Sequence, residues 1–131
     1  MIPKFRFYSK RMNKIGIVMS LHPLRKRVYV EWDDALSGTE DIDDNGVLMQ
    51  STGLFDKNSK EIFEGDIVRF HTPQLTTIGV VEFDKNEGCF KVRNDFGGHY
   101  VTMFHTRYFE VIGNIYQNPE LVEGVENDTE A

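Results

Sequence analysis

The chain has 131 residues, 40% hydrophobic with ten Phe, which suits one globular domain with an appended subdomain. Its net charge is −6, an acidity that argues against broad, non-specific DNA binding, because that term grows with the phosphates neutralised. No run approaches the roughly 18 apolar residues of a membrane span, and the N-terminus lacks the order of an export signal. No membrane association is expected, and the expected compartment is the cytoplasm.

The first thirty residues carry Lys4, Arg6, Lys10, Arg11, Lys14, Arg25, Lys26 and Arg27 and no acid, a charge of +8. The other seven basic residues and all 21 acidic ones leave −14 on the remainder. Such asymmetry points to a binding or self-association surface, or to pairing inside the fold. The candidate binding residues are therefore Lys4, Arg6, Lys10, Arg11, Arg25, Lys26 and Arg27. Within this segment, Lys4-Phe5-Arg6-Phe7-Tyr8 alternates basic and aromatic residues, the period of a half-buried strand. Ile15 to Met19 and Arg27 to Trp32 predict two more strands, and His22-Pro23 between them disfavours a helix.

The stretch from Glu31 to Asp44 holds seven acids. It lacks the Gly and Glu positions of the twelve-residue calcium loop, so a solvated, mobile loop is expected rather than a metal site. Val47 to Gln50 is a short apolar run, and Thr52 to Lys60 is rich in turn formers.

After residue 60 the strand pattern becomes even. Strands are predicted over Asp66–His71, Thr77–Asp84, Cys89–Arg93, His99–Phe104 and Tyr108–Tyr116, with turns at 85–88 and 95–98. Gly65 supplies the positive φ for a tight entry into the first of these, and the Asp66 carboxylate can bond N–H groups of the same turn. Cys89, the only cysteine, reads as a small core hydrophobe. Residues 123–131 are acidic and poor in apolar groups, so a disordered tail is expected. The expected fold is mainly β: an N-terminal β-rich subdomain over 1–59, an SH3-like barrel over 60–118 and an acidic tail over 119–131.

Chemistry is harder to find. His22, His71, His99 and His105 lack zinc-ligand spacing. Glu64 with Asp66, and Glu82 with Asp84, share a strand face, yet no nucleophile or base accompanies them. The aromatic set Phe5, Phe7, Tyr8, Tyr100, Phe104, Tyr108 and Phe109 reads as core before it reads as a stacking platform. No catalytic residue, metal or cofactor is expected.

Five motifs in order carry a resemblance. They are Ile2-Pro3-Lys4-Phe5-Arg6, Leu48-Met49-Gln50-Ser51-Thr52-Gly53-Leu54-Phe55-Asp56-Lys57-Asn58, Ile62-Phe63-Glu64-Gly65-Asp66-Ile67-Val68, Gly79-Val80-Val81-Glu82-Phe83, and the run from Glu110 to Leu121. On these the chain resembles the YopX family, small proteins encoded largely by bacteriophages and prophages. Ser59 stands where the family commonly has Gly, Phe7-Tyr8 replaces a frequent Ala-Trp pair, and residues 33–46 and 71–76 find no match. The resemblance implies an SH3-like barrel and no settled activity. The recurrent residues Gly53, Asp56, Glu64, Gly65, Asp66, Gly113 and Asn114 read as structural turns. The expected function is a non-enzymatic phage accessory protein that binds a host or phage protein, with self-association into a homo-oligomer. The alternative is a nucleic-acid-binding barrel that uses the basic N-terminal segment.

Overall fold

A computed structural model describes residues 4–33, 36–71, 76–94, 100–102 and 108–122 of the chain. The protein is mainly β and divides into two compact units, Met1–Ser51 and Thr52–Ala131.

The first unit contains β1 (Phe5–Ser9), β2 (Lys14–His22), a 3₁₀ turn at Pro23–Arg25, β3 (Arg27–Glu31) and β4 (Ser37–Asp41). The start of β5 (Gly46–Phe55) completes it. The strands lie in the order β4-β3-β2-β1-β5, and each pairing resolved is antiparallel. The alternation of Phe5 to Tyr8 decides which face is buried: Phe7 is fully buried with Val28, Val30 and Trp32, while Val18, Leu21 and Leu48 pack at the margin. Gly16 lies opposite Phe7, and a Cβ there would meet the Val30 side chain at 2.4 Å, so its missing side chain lets the sheet fold over this core.

The connection from β4 to β5 shows how strongly this sheet curls. β4 is an edge strand, yet only residues 42–45 separate it from β5 on the far side of β1. That short turn spans the gap with backbone bonds to the turns that flank β2. Ile42 N–H donates to the Lys26 carbonyl at 2.8 Å, and Lys10 N–H donates to the Asn45 carbonyl at 2.9 Å. The register shift between Val18 and Ser20 supplies the bend in β2.

The acidic stretch is thus not wholly the solvated, mobile loop that its composition predicts. Residues 37–41 form a paired strand, and Glu40 is buried opposite Val28. The reason is tertiary: β3 offers an open edge, and the neighbouring bases receive the carboxylates.

The second unit holds the end of β5 and β6 (Glu61–Phe63), which neighbour each other, and an antiparallel five-stranded sheet. The sheet comprises β7 (Asp66–His71), β8 (Thr76–Asp84), β9 (Cys89–Asn94), β10 (Tyr100–Thr102) and β11 (Glu110–Asn114) in the order β10-β9-β8-β7-β11. The strands expected after residue 60 are present, but the described sheet stays open between β10 and β11, where the even spacing had predicted a closed SH3-like barrel.

Both faces of the central strands are covered. Val68, Phe70, Val81 and Val92 pack with Ile62 and Phe109 on one side, and Phe70 and Phe109 have ring centroids 5.1 Å apart. Ile67 and Val80 pack with Val122 on the other, where Ile115 and Leu121 close over them. The ordered chain therefore runs past residue 118 to Val122, whose side chain is buried. The expectation of a disordered tail at 123–131 lies outside the described residues.

Cys89 is exposed, contrary to its reading as core. Pairing sets this: Phe90 and Val92 alternate inward on β9, so Cys89, Lys91 and Arg93 share the outward face.

Candidate functional surfaces

The sequence singled out seven bases, and the fold handles them unequally. Lys4 is exposed just before β1, its carbonyl accepting the Ser51 N–H at 2.8 Å, and Arg6 is half-buried on β1. Lys10 and Arg11 lie in the β1–β2 turn, while Arg25, Lys26 and Arg27 lie around the β2–β3 turn. These last five converge on the β4–β5 connection. The Arg27 guanidinium is 3.0 Å from the Asp41 carboxylate, the Arg11 guanidinium is 3.6 Å from that of Glu40, and Lys10 Nζ donates to the Asp43 carbonyl at 3.2 Å. An open pocket of about 480 Å³ has Arg25, Lys26 and Arg27 on one wall and Asp41, Asp43 and Asp44 on the other.

The +8 segment is thus largely neutralised where it stands. Residues 1–51 contain eight basic and seven acidic residues, a net of +1, and residues 52–131 carry −7. Among the described residues, Arg25 and Lys26 have no carboxylate at ion-pair distance. Lys26 has φ +51°, which turns the chain sharply into β3.

Of the residues expected as structural turns, Asp56, Glu64 and Gly65 lie between strands, while Gly53 lies within β5, Asp66 opens β7, and Gly113 and Asn114 end β11. Gly53 and Gly65 both have positive φ, +78° and +88°. Gly65 N–H donates to the Val81 carbonyl at 2.8 Å, and its own carbonyl accepts the Ile115 N–H at 3.0 Å, so one glycine joins two segments. Glu64 is half-buried beside it. The Asp66 carboxylate, almost fully buried, accepts the Phe63 N–H at 2.8 Å, which is the turn bond expected of it. Asn114 Oδ1 accepts the Tyr116 and Gln117 N–H groups at 3.1 and 2.9 Å, and Asn118 Oδ1 accepts the Asn114 N–H at 3.1 Å. A Cβ on Gly113 would stand 2.6 Å from that Asn118 oxygen.

Asp56 uses both oxygens of its carboxylate. Its Oδ1 accepts the Asn58 and Lys60 N–H groups at 2.8 Å each, and its Oδ2 accepts the Val111 N–H at 2.9 Å. Burial pushes its carboxyl up, but the three N–H donors outweigh that and hold it below the usual carboxylate range.

The paired carboxylates are likewise engaged. Glu82 meets Arg93 at 2.6 Å, and Asp84 accepts the Asn86 and Glu87 N–H groups and sits 3.2 Å from Lys91. The Lys91 ammonium lowers the Asp84 carboxyl, and Glu87 raises the Lys91 ammonium in return. The Arg69 guanidinium likewise lowers the Glu110 carboxyl. His22 and His71 lie near the Ser20 and Thr76 hydroxyls, and the described residues hold no cluster of metal-ligating side chains. His99, His105 and Phe104 lie outside the described residues. The aromatic set is divided, with Phe7 and Phe109 in separate cores and Tyr108 exposed.

Alternation alone did not single out the exposed apolar residues. Ile17 (66% exposed) and Tyr29 (41%) share the outer face of β2 and β3, and Met19 (58%) stands at the bulge of β2. The register fixes this: Ile17 opposes Glu31, two residues from Tyr29 on the same strand. Leu24 at the β2–β3 turn and Leu36 before β4 are also exposed. The signal in the sequence is a strand whose two faces are both apolar, Ile15 to Met19.

These features describe a small two-unit β protein whose recurrent polar residues tie turns to strands. A family model described as YopX protein matches residues 4–123, and the chain belongs to that family. It is similar to the crystal structure of protein EF1440 from Enterococcus faecalis, at 27% identity and a TM-score of 0.64. The match covers 93% of this chain and 99% of that one. No curated protein matches. No helix among the described residues is long and apolar enough to cross a membrane.

Proposed function

We propose that the protein is a non-enzymatic, phage- or prophage-encoded accessory protein, acting in the bacterial cytoplasm, that binds a host or phage protein through its N-terminal unit. The observation that carries this reading is the exposed apolar face of β2 and β3, with Ile17, Met19 and Tyr29 open to solvent on a unit whose other face is a closed core. Charge supports it too. Lys10, Arg11 and Arg27 already face acids or carbonyls of their own unit, which weakens the case for a nucleic-acid surface built on the same bases.

The test is affinity capture from phage-infected host cells with the intact protein and with an Ile17→Glu/Tyr29→Glu variant. Both side chains are exposed, so the variant should melt near the wild-type temperature. A partner retained by the wild type and lost by the variant supports the reading. Equal capture by both, or salt-dependent binding of single-stranded DNA in place of a protein, overturns it. Light scattering on the same pair tells whether the partner is a second copy of this chain.

A further inference from the structure

Five bases from two turns meet one acidic segment of the same unit, and that segment is attached in an unusual way. β4 (Ser-Gly-Thr-Glu-Asp) buries no apolar side chain. It is held by its ladder to β3, by the ion pairs of Arg11 with Glu40 and Arg27 with Asp41, by the Tyr29 and Ser37 hydroxyls at 2.6 Å, and by the Lys10 bond to the Asp43 carbonyl. Ile42 alone reaches the core margin. The Arg27–Asp41 pair is exposed and correspondingly weak, whereas Glu40 is buried and only its Arg11 partner is open to solvent. The edge beneath it is different: Val28 and Val30 of β3 are fully buried and pack in the core with Phe7 and Trp32.

We propose that residues 37–44 are an internal occupant of a peptide-docking surface, and that an acidic, extended segment of a partner protein takes their place on β3 and on Lys10, Arg11, Arg25, Lys26 and Arg27. This rests on the protein-binding reading above and names the chemistry of the partner: carboxylates flanking one aliphatic side chain, as in Glu40-Asp41-Ile42-Asp43-Asp44. The occupant seen is a peptide strand with carboxylates, which favours an acidic peptide over a nucleic acid. Strand addition to an exposed edge supplies the backbone bonds. Arg25 and Lys26, which the internal segment leaves without a carboxylate, give a more acidic partner its advantage. Being tethered, the internal strand competes at a high effective concentration, so binding in trans is suppressed until the clasp is weakened.

The test uses a labelled synthetic peptide corresponding to Ser37–Asn45 and fluorescence anisotropy. The intact protein is compared with Asp41→Asn, a half-exposed position whose substitution removes the Arg27 pair and leaves the ladder intact. The variant is expected to bind the peptide about two- to fivefold more tightly than the wild type, the scale set by one exposed ion pair. High salt and the further substitutions Arg25→Glu and Lys26→Glu should abolish the gain. Equal affinity in both proteins, or a gain that survives those two reversals, overturns the proposal. So does tighter binding of a 20-nucleotide single strand than of the peptide. Hydrogen exchange on the unmodified protein is the second measurement, independent of any variant. The β4 amides should exchange much faster than those of β1 and β3 and faster still in high salt, and equal protection counts against displacement. A partner lost in Ile17→Glu/Tyr29→Glu, with no peptide gain in Asp41→Asn, leaves the protein-binding reading standing and removes this one.

Discussion

Replacing Asp56 tests the claim that the 56–60 turn is tied to β11 by one carboxylate. In Asp56→Ala three N–H groups lose their acceptor. Those of Asn58 and Lys60 belong to exposed residues, so water replaces much of what is lost, about 0.5–1 kcal/mol each. Val111 is only half-exposed, and its bond to a charged acceptor contributes about 1.5–3 kcal/mol. The expected loss is about 3 kcal/mol, a fall in Tm on the order of 10 °C for a chain of this size. Asp56→Asn keeps one oxygen for the turn but turns its amide toward the Val111 N–H, so a loss of about 1.5–2 kcal/mol is expected. Urea unfolding of the three proteins at pH 7 measures both. The carboxyl also titrates low in the folded protein. Its contribution is therefore complete above the unfolded value of 3.8 and disappears as pH falls through the lower folded value. The wild type should lose this increment on acidification, and Asp56→Asn should lack that part of the acid limb. A loss below about 1 kcal/mol for Asp56→Ala, or a wild-type curve for Asp56→Asn, would refute the role assigned to the Val111 bond.

Ser59 has φ +64° in the same turn, where its β-carbon is strained, so Ser59→Gly should raise stability by about 0.5–1 kcal/mol in urea melts. Gly65→Val should cost roughly 1–3 kcal/mol, because φ +88° excludes a β-branched residue, and an unchanged melting temperature would show that the turn relaxes freely. Gly46→Ala should be worse, about 3 kcal/mol or more, since its Cβ would stand 1.7 Å from the Tyr8 carbonyl oxygen across the β1–β5 pair; circular dichroism against temperature reads this directly.

Local chemistry made much of this protein legible from its residues. Period-2 alternation marked β1, β3 and β9, because each has one face in a core, while β7 and β8 read as apolar runs because both of their faces are covered. Gly65, Asp66, Asp56 and Asn114 read as turn residues because positive φ and carboxyl-to-backbone bonds are local demands. The family, too, was legible, since its motifs are strings of those demands. What stayed hidden depends on pairing between distant segments. Ser37 to Asp41 becomes a strand only because β3 leaves an edge open and Arg11 and Arg27 stand beside it. That Ile17 faces water while Gly16 faces the core follows from their opposing Glu31 and Phe7, a register no single strand contains. The +8 segment looked like a free binding surface along the chain. The fold sets Glu40, Asp41 and the Asp43 carbonyl against Arg11, Arg27 and Lys10 of the same unit, and a charge is available to a partner only where the fold has not already placed its opposite.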